Sequence, residues 1–164
     1  MRAQLQAVPS LAEVPLQQLR ATGVRGLLLD LDNTLVPART EAVTPEAERF
    51  LAQARSLGMQ GIIVSNGRRQ RAQRIAASLG LPAVGRAKKP FPGGYRRALR
   101  HLDLQVCEVA AVGDQMLTDG VGGWLQGVKV FLVEPLSREE SLLVQLGRPA
   151  DRVLRRLLVR RAAD

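Results

Sequence analysis

Asp30 and Asp32 close an apolar run in the stretch Leu27-Leu28-Leu29-Asp30-Leu31-Asp32-Asn33-Thr34, and three more polar clusters stand at comparable places along the 164-residue chain. Ser65 and Asn66 follow the run that begins at Gly61. Lys88 and Lys89 precede Pro90. Asp114 follows Gly113 at the end of a third apolar run, with Asp119 five residues beyond it. If these segments converge, they deliver two carboxylates, a hydroxyl, an ammonium and two further carboxylates to one place.

The chemistry that needs this set is phosphoryl transfer. Attack on a phosphate brings an anion towards an anion. Mg²⁺ relieves that repulsion and takes hard oxygen ligands, which clustered aspartates supply. A carboxylate nucleophile can form an acyl phosphate, dividing one hard displacement into two easier ones. A second carboxyl can protonate the leaving oxygen and then activate water. A lysine and a hydroxyl bind the remaining phosphoryl oxygens, over which transition-state charge spreads. Asp30 and Asp32 are two residues apart, so both can face one side as the chain leaves a strand.

Elements that end at one edge would bring these residues together. Gly26 to Leu31 is a short apolar run after a glycine and reads as a buried parallel strand. Thr44-Pro45-Glu46 is a helix start, with a threonine cap, proline in the first turn and an acid at the positive dipole end. Ala47, Phe50, Leu51, Ala54 and Leu57 share one face of that helix, and Gly58 is its stop. Gly61 to Ser65 is a second strand. Ala72, Ile75, Ala76 and Leu79 mark another helix, closed by Gly80 and Pro82. A short strand is expected at Ala83 to Gly85. A helix starting at Pro90 and Pro92 faces inward through Tyr95, Ala98, Leu99 and Leu102. Strands follow at Glu108 to Gly113 and Val128 to Val133, with a short helix near Met116 to Gln126 between them. Alternating strands and helices imply a parallel sheet covered on both faces, with right-handed crossovers. In such folds ligands bind at the carboxyl ends of the strands, where the polar clusters stand.

Asp30-x-Asp32-x-Thr34, Ser65, Lys89 and Gly113-Asp114-x4-Asp119 resemble, in order, the four motifs of the haloacid dehalogenase (HAD) superfamily, across roughly residues 25–135. The first and fourth motifs are the specific ones. The resemblance implies a Rossmann-like α/β/α sandwich with a mainly parallel sheet. It implies Asp30 as the nucleophile that becomes aspartyl-phosphate, and Asp32 as the general acid/base, with its backbone carbonyl on the metal. Ser65 would hydrogen-bond the phosphoryl group, and Lys89 would neutralise it and the nucleophile. Asp114 would ligate Mg²⁺, and Asp119 would ligate it or orient a ligand. Thr34, which fixes the loop, Asn66 and Lys88 are the candidate substrate-binding residues. Lys88 is also the alternative to Lys89, which is preferred because the family lysine usually directly precedes proline. A second aspartate in the first motif matches phosphatases and phosphotransferases rather than dehalogenases.

Many relatives carry a cap domain after the first motif or between the second and third. Here 35 residues separate Asp30 from Ser65, and 24 separate Ser65 from Lys89. One helix and its strand use up each interval, so no cap fits. Cap-less members, subclass III, have open sites and tend to act on large substrates or to borrow a lid. The wording Leu-Asp-Leu-Asp-Asn-Thr-Leu-Val, Ser-Asn, Lys-Lys-Pro and Val-Gly-Asp-Gln-x-Leu-Thr-Asp is most similar to the YqeG-like HAD IIIA proteins, relatives of phosphatidylglycerophosphate phosphatases. This implies a Mg²⁺-dependent phosphomonoesterase, with phosphatidylglycerophosphate as one candidate substrate. The alternatives are a phosphatase of a soluble small-molecule phosphate, and a HAD-fold protein- or RNA-binding module with little activity. Relatives often carry an Asn-Arg pair near Trp124-Leu125, where an exposed or interfacial tryptophan is expected here.

The composition fits one domain over 1–164: a lead-in over 1–24 with a short amphipathic helix around Leu11 to Leu19, a catalytic core over 25–135, and a basic helical segment over 136–164. Apolar residues make up 46% and aromatics only 3%, so the core must be aliphatic. The lone Cys107 excludes an intramolecular disulfide and fits a reducing compartment; it is expected as a small buried or half-buried apolar residue. With no signal-like segment over Met1 to Ser10 and no spanning stretch, a cytoplasmic location is expected.

The formal charge is +9, and only Lys88, Lys89 and Lys129 of the 24 basic residues are lysines. Charge permits nucleic acid as a partner, but the shortage of aromatic platforms argues against it. Arg68, Arg69 and Arg71 are expected on a solvated helix face, the alternative being a grip on a second anionic group. His101 is expected at the surface. Over 151–164, Val153, Leu154, Leu157 and Leu158 line one helical side, with arginines on much of the rest. Packing on its own domain is the preferred reading. The alternative is peripheral contact with an anionic membrane, at about 1 kcal/mol per basic residue near the surface.

Overall fold

A computed structural model describes residues 4–137 and 160–161. The described strands are β1 (Leu5–Ala7), β2 (Gly26–Leu29), β3 (Gln60–Val64), β4 (Ala83–Val84), β5 (Val109–Gly113), β6 (Lys129–Leu132) and β7 (Arg160–Arg161). They form one sheet in the order β4-β3-β2-β5-β6-β1-β7, and every pairing is parallel. The helices are α1 (Leu16–Ala21), α2 (Pro45–Ser56), α3 (Arg69–Ser78), α4 (Pro92–Leu102) and α5 (Val121–Leu125). A π-helical turn, Met116–Gly120, leads into α5.

Alternation along the central strands explains the three layers. Leu27, Leu29 and Ile63 point to one face, where Ala47 and Phe50 of α2 and Ile75 of α3 close the core. Leu28, Ile62 and Val64 point to the other, against Tyr95, Ala98 and Leu102 of α4. Successive strand residues project to opposite sides, so an unbroken apolar strand needs cover on both. All four residues of β2 are buried. Among the described residues, a single helix and its flanking loops connect β2 to β3, and another connects β3 to β4, so no cap domain interrupts the core.

Local signals account for the element ends. Thr44 caps α2 by accepting from the Ala47 amide at 3.1 Å, ahead of Pro45. Gly58 and Gly80, both at positive φ, stand just past the ends of α2 and α3. The Leu11 to Leu19 region divides into a 3₁₀ turn, Leu11–Glu13, and α1.

The fold also differs from the sequence reading in the lead-in, at Cys107 and near the C-terminus. The lead-in contributes β1, which pairs Leu5 with Val130 and Ala7 with Leu132, so the sheet extends past β6. Cys107 is exposed: it lies in a 3₁₀ turn, Val106–Glu108, that enters β5 from the surface. The helix expected over 151–164 lies outside the described residues except for Arg160 and Arg161, which form β7 against Gln6 and Ala7 rather than a helix. His101 is exposed as expected, and Trp124 is half exposed. No helix among the described residues is long and apolar enough to cross a membrane.

Candidate active site

The register of the sheet carries the first polar residues to one edge. Leu29 aligns with Ile63 on one side and with Val112 on the other. Asp30, Ser65 and Asp114 therefore leave neighbouring strands at similar heights. β2 is followed in the chain by β3 and β4 to one side, and β5 lies on its other side. Asp30 and Asp114 thus flank the point where the strand order reverses, which is where open parallel sheets make their crevice.

Lys89 arrives from the loop before α4. Its Nζ donates to Asp30 Oδ1 and to Asp119 Oδ1, each at 2.5 Å. Asn66 sets that loop: its side chain accepts from the Lys89 amide at 2.7 Å and donates to the Lys89 carbonyl at 3.0 Å. Lys88 is exposed and makes no ion pair with these carboxylates among the described residues, so the structure brings Lys89 rather than Lys88 to Asp30.

Asp119 is held from the π-helical turn. Its Oδ2 accepts from the Gln115 amide and the Thr118 hydroxyl at 3.3 and 3.2 Å. Its carboxyl lies against Gly113, where an added Cβ would stand 2.3 Å from the Asp119 Cγ. Only glycine allows that approach. Asp30, Asp114 and Asp119 each offer an oxygen within 4.8 Å of the others, and all three residues are buried. The Asp32 carboxylate stands outside this triad.

The electrostatics reflect crowding away from water. Burial pushes Asp30 from its ordinary 3.8 up to about 7; Lys89 opposes the rise, and Asp119 and Asp32 add to it. Burial, then the charges of Asp30 and Asp119, raise Asp114 well above the carboxylate range. Burial works against the charge on Lys89, but Asp119 and Asp30 outweigh it, so Lys89 is raised and stays an ammonium. Among the described residues, three buried carboxylates face one buried ammonium, an excess of negative charge that a hard divalent cation would neutralise. The donor set, all aspartate oxygen, fits Mg²⁺.

Ser65 is buried, and its Oγ accepts from the Gly67 amide at 3.0 Å. The Thr34 hydroxyl is buried without a hydrogen-bond partner. Asn33, at φ 61°, accepts on Oδ1 from the Ala38 amide at 3.1 Å and the Ser137 hydroxyl at 2.7 Å, tying down the loop after β2.

Arg71 has the sequence pattern of a residue on a solvated helix face. In the structure it turns inward. Nη2 and Nη1 lie 2.8 and 3.0 Å from the two oxygens of Asp32, and Nη2 also donates to the Thr40 carbonyl at 2.5 Å. Its place on the first turn of α3, six residues after Ser65, was the one signal available.

Comparison with known proteins agrees with this geometry. A family model described as haloacid dehalogenase-like hydrolase matches residues 36–120, and a second, HAD-hydrolase-like, matches 86–158. A Bacillus subtilis protein named "Probable phosphatase YqeG" is 30% identical over 88% of this chain and 84% of its own length. The "Phosphatidylglycerophosphate phosphatase 1, chloroplastic" of Chlamydomonas reinhardtii is 31% identical over 80% of this chain; the chain spans about half of that relative, 52%. The crystal structure of L-2-haloacid dehalogenase from Xanthobacter autotrophicus superposes with a TM-score of 0.51 at 23% identity, over 66% of this chain and 51% of that one, a likeness of fold. With matched residues running from the loop after β2 through the π-helical turn that carries Asp119, the chain belongs to the haloacid dehalogenase-like hydrolase family.

Proposed function

We propose that the chain is a Mg²⁺-dependent phosphomonoesterase working through an aspartyl-phosphate on Asp30. The observation that carries this reading is the buried cluster in which Lys89 bridges Asp30 and Asp119 beside Asp114, at the crevice of a parallel sheet. Asp30, Asp114 and Asp119 would hold the cation, with the backbone carbonyl of Asp32. When bound, Mg²⁺ would neutralise the triad and the incoming phosphate.

An Asp30 oxygen attacks phosphorus, and the bond from phosphorus to the ester oxygen breaks. Protonated Asp32 gives its proton to the departing alkoxide. Asp32 then takes a proton from water, whose oxygen attacks the aspartyl-phosphate; inorganic phosphate leaves and the Asp30 carboxylate is restored. Lys89 and the Ser65 hydroxyl bind the phosphoryl oxygens, and Asn33 steadies the loop after β2.

The test is hydrolysis of an aryl phosphate with and without Mg²⁺, by wild type and Asp30→Asn. Metal-dependent turnover that falls by about 10³-fold or more in the variant is expected, since an asparagine amide at position 30 does not form the acyl phosphate. No turnover by wild type on that compound or on a broad phosphate panel would refute the reading.

For the substrate, a lipid phosphate such as phosphatidylglycerophosphate is supported by the name of the Chlamydomonas reinhardtii relative and by one surface feature. A cleft beside the Lys89 loop is lined by Arg86, Lys88, Arg96, Arg97 and Arg100, with Phe91 at 70% exposure. Cations around an exposed aromatic suit an anionic membrane surface, and a site with no cap domain over it among the described residues admits a large headgroup. Faster turnover of a lipid phosphate in mixed micelles than of sugar or nucleotide phosphates is expected. The reverse order would favour a soluble substrate. Peripheral membrane contact through 151–164 is tested by vesicle binding with and without that segment.

A further inference from the structure

The loop between β2 and α2 carries the acid/base candidate on its first turn, and α3 clasps that loop twice. Arg74 pairs with Glu41 at 2.5 Å near the surface. Arg71 reaches deeper, spanning both oxygens of Asp32 and the Thr40 carbonyl. Its side chain is 20% exposed, against 61% for Arg74. A planar guanidinium on both oxygens of a carboxylate fixes the rotation of that carboxylate as well as its position. Gly67 lies where these groups meet. The point where its Cβ would stand is 3.1 Å from Ser65 Oγ, 3.7 Å from Asp32 Oδ2 and 4.0 Å from Arg71 Nη1, so the three groups converge around it.

We propose that Arg71 is the positioning residue for Asp32: it aims that carboxylate along the line of the leaving oxygen and ties the loop to α3. The proposal rests on Asp32 as the acid/base, and Arg71 acts only through it. Removing Arg71 therefore harms the step that needs a proton delivered. Alkyl esters, whose alkoxides are poor leaving groups, depend on that proton far more than aryl esters do.

Wild type, Arg71→Ala, Arg71→Lys, Arg74→Ala, Asp32→Asn and the Asp32→Asn/Arg71→Ala double variant are compared as full chains on glycerol phosphate and p-nitrophenyl phosphate. Arg71→Ala lowers kcat on the alkyl ester by about 10- to 100-fold, part of the contribution of a positioned acid. It lowers kcat on the aryl ester several-fold less and leaves KM close to wild type. Guanidinium ion in the buffer restores part of the loss. Arg74→Ala changes neither ester more than about twofold, because its pair is exposed and does not touch Asp32. In the Asp32→Asn background Arg71→Ala costs nothing further, as coupled residues are not additive. Equal losses on both esters, or the full loss repeated on Asp32→Asn, would overturn the proposal. A loss confined to KM would also overturn it, and would make Arg71 a clamp for a substrate anion. If Arg71→Ala does not fold, Arg71→Lys and Arg71→Gln carry the same comparison. A crystal structure of the variant supplies a reading independent of turnover. Asp32 rotated away supports the assignment, and Asp32 unmoved contradicts it, even if wild type hydrolyses no phosphate and the phosphatase reading itself fails.

Discussion

Among the described residues Lys89 is the one buried cation beside the carboxylates of the site, and its removal isolates their charge. Lys89→Ala should destabilise the metal-free protein at pH 8 by about 3–5 kcal/mol, the range for breaking a buried ion pair on one side. Lys88→Ala, at an exposed position, should stay within about 0.5 kcal/mol. Urea unfolding of both variants checks the contrast. The raised Asp30 gives a pH prediction with a definite sign. Folded, Asp30 keeps its proton up to about pH 7; unfolded, it loses it near the ordinary 3.8. Between those values the folded chain holds more protons, so the stability of the metal-free protein falls as pH rises through that window. Asp114 is raised by the same causes and pulls the same way. Mg²⁺ competes with those protons, so the rise in thermal midpoint it produces should grow from pH 5.5 to pH 8. A shift that is flat or shrinks with pH would place the cation elsewhere. The aspartates and Lys89 were legible in sequence because their types and spacing carry the chemistry. Arg71 was not: an arginine on a helix's first turn has the local pattern of a solvated residue, and only the packing of α3 against the loop after β2 turns it inward.

At the level of elements, the site depends on strands that end together. β2, β3 and β5 announce themselves as apolar runs bounded by glycine or polar residues, which is why their ends could be read in advance. β1 could not: three residues next to Val8 and Pro9 show no period, and the strand exists because β6 offers it an edge. Cys107 misled for a related reason. A free cysteine is expected inside as a small apolar residue, but the 3₁₀ turn before β5 leaves it exposed. Leu29 lies beneath Asp30 and is fully buried; Leu29→Ala should cost about 2–5 kcal/mol and lower activity through stability, read by denaturant midpoint. Gly113→Ala should act differently. The new methyl overlaps the Asp119 carboxyl, so Mg²⁺ affinity should drop by about tenfold or more at modest cost to the fold. Titration of Mg²⁺ by calorimetry separates the two effects.

For the whole molecule, helices cover the two faces of the sheet, and the site stands at its carboxyl edge. No cap stands over that edge among the described residues, and the cationic cleft around Phe91 adjoins it. Short intervals between motifs made the missing cap legible in the sequence. The substrate was not, because it depends on surfaces assembled from separate elements and from whatever the open edge meets. The central claim concerns Asp30, and trapping its covalent intermediate tests it directly. Wild type is mixed with a ³²P-labelled aryl phosphate and Mg²⁺, then quenched in acid within one turnover. The label should stay on the protein, map to the peptide containing Asp30, and be released by hydroxylamine as an acyl phosphate is. Asp30→Asn should carry none. Turnover without any label on wild type, or label retained by Asp30→Asn, would contradict the account.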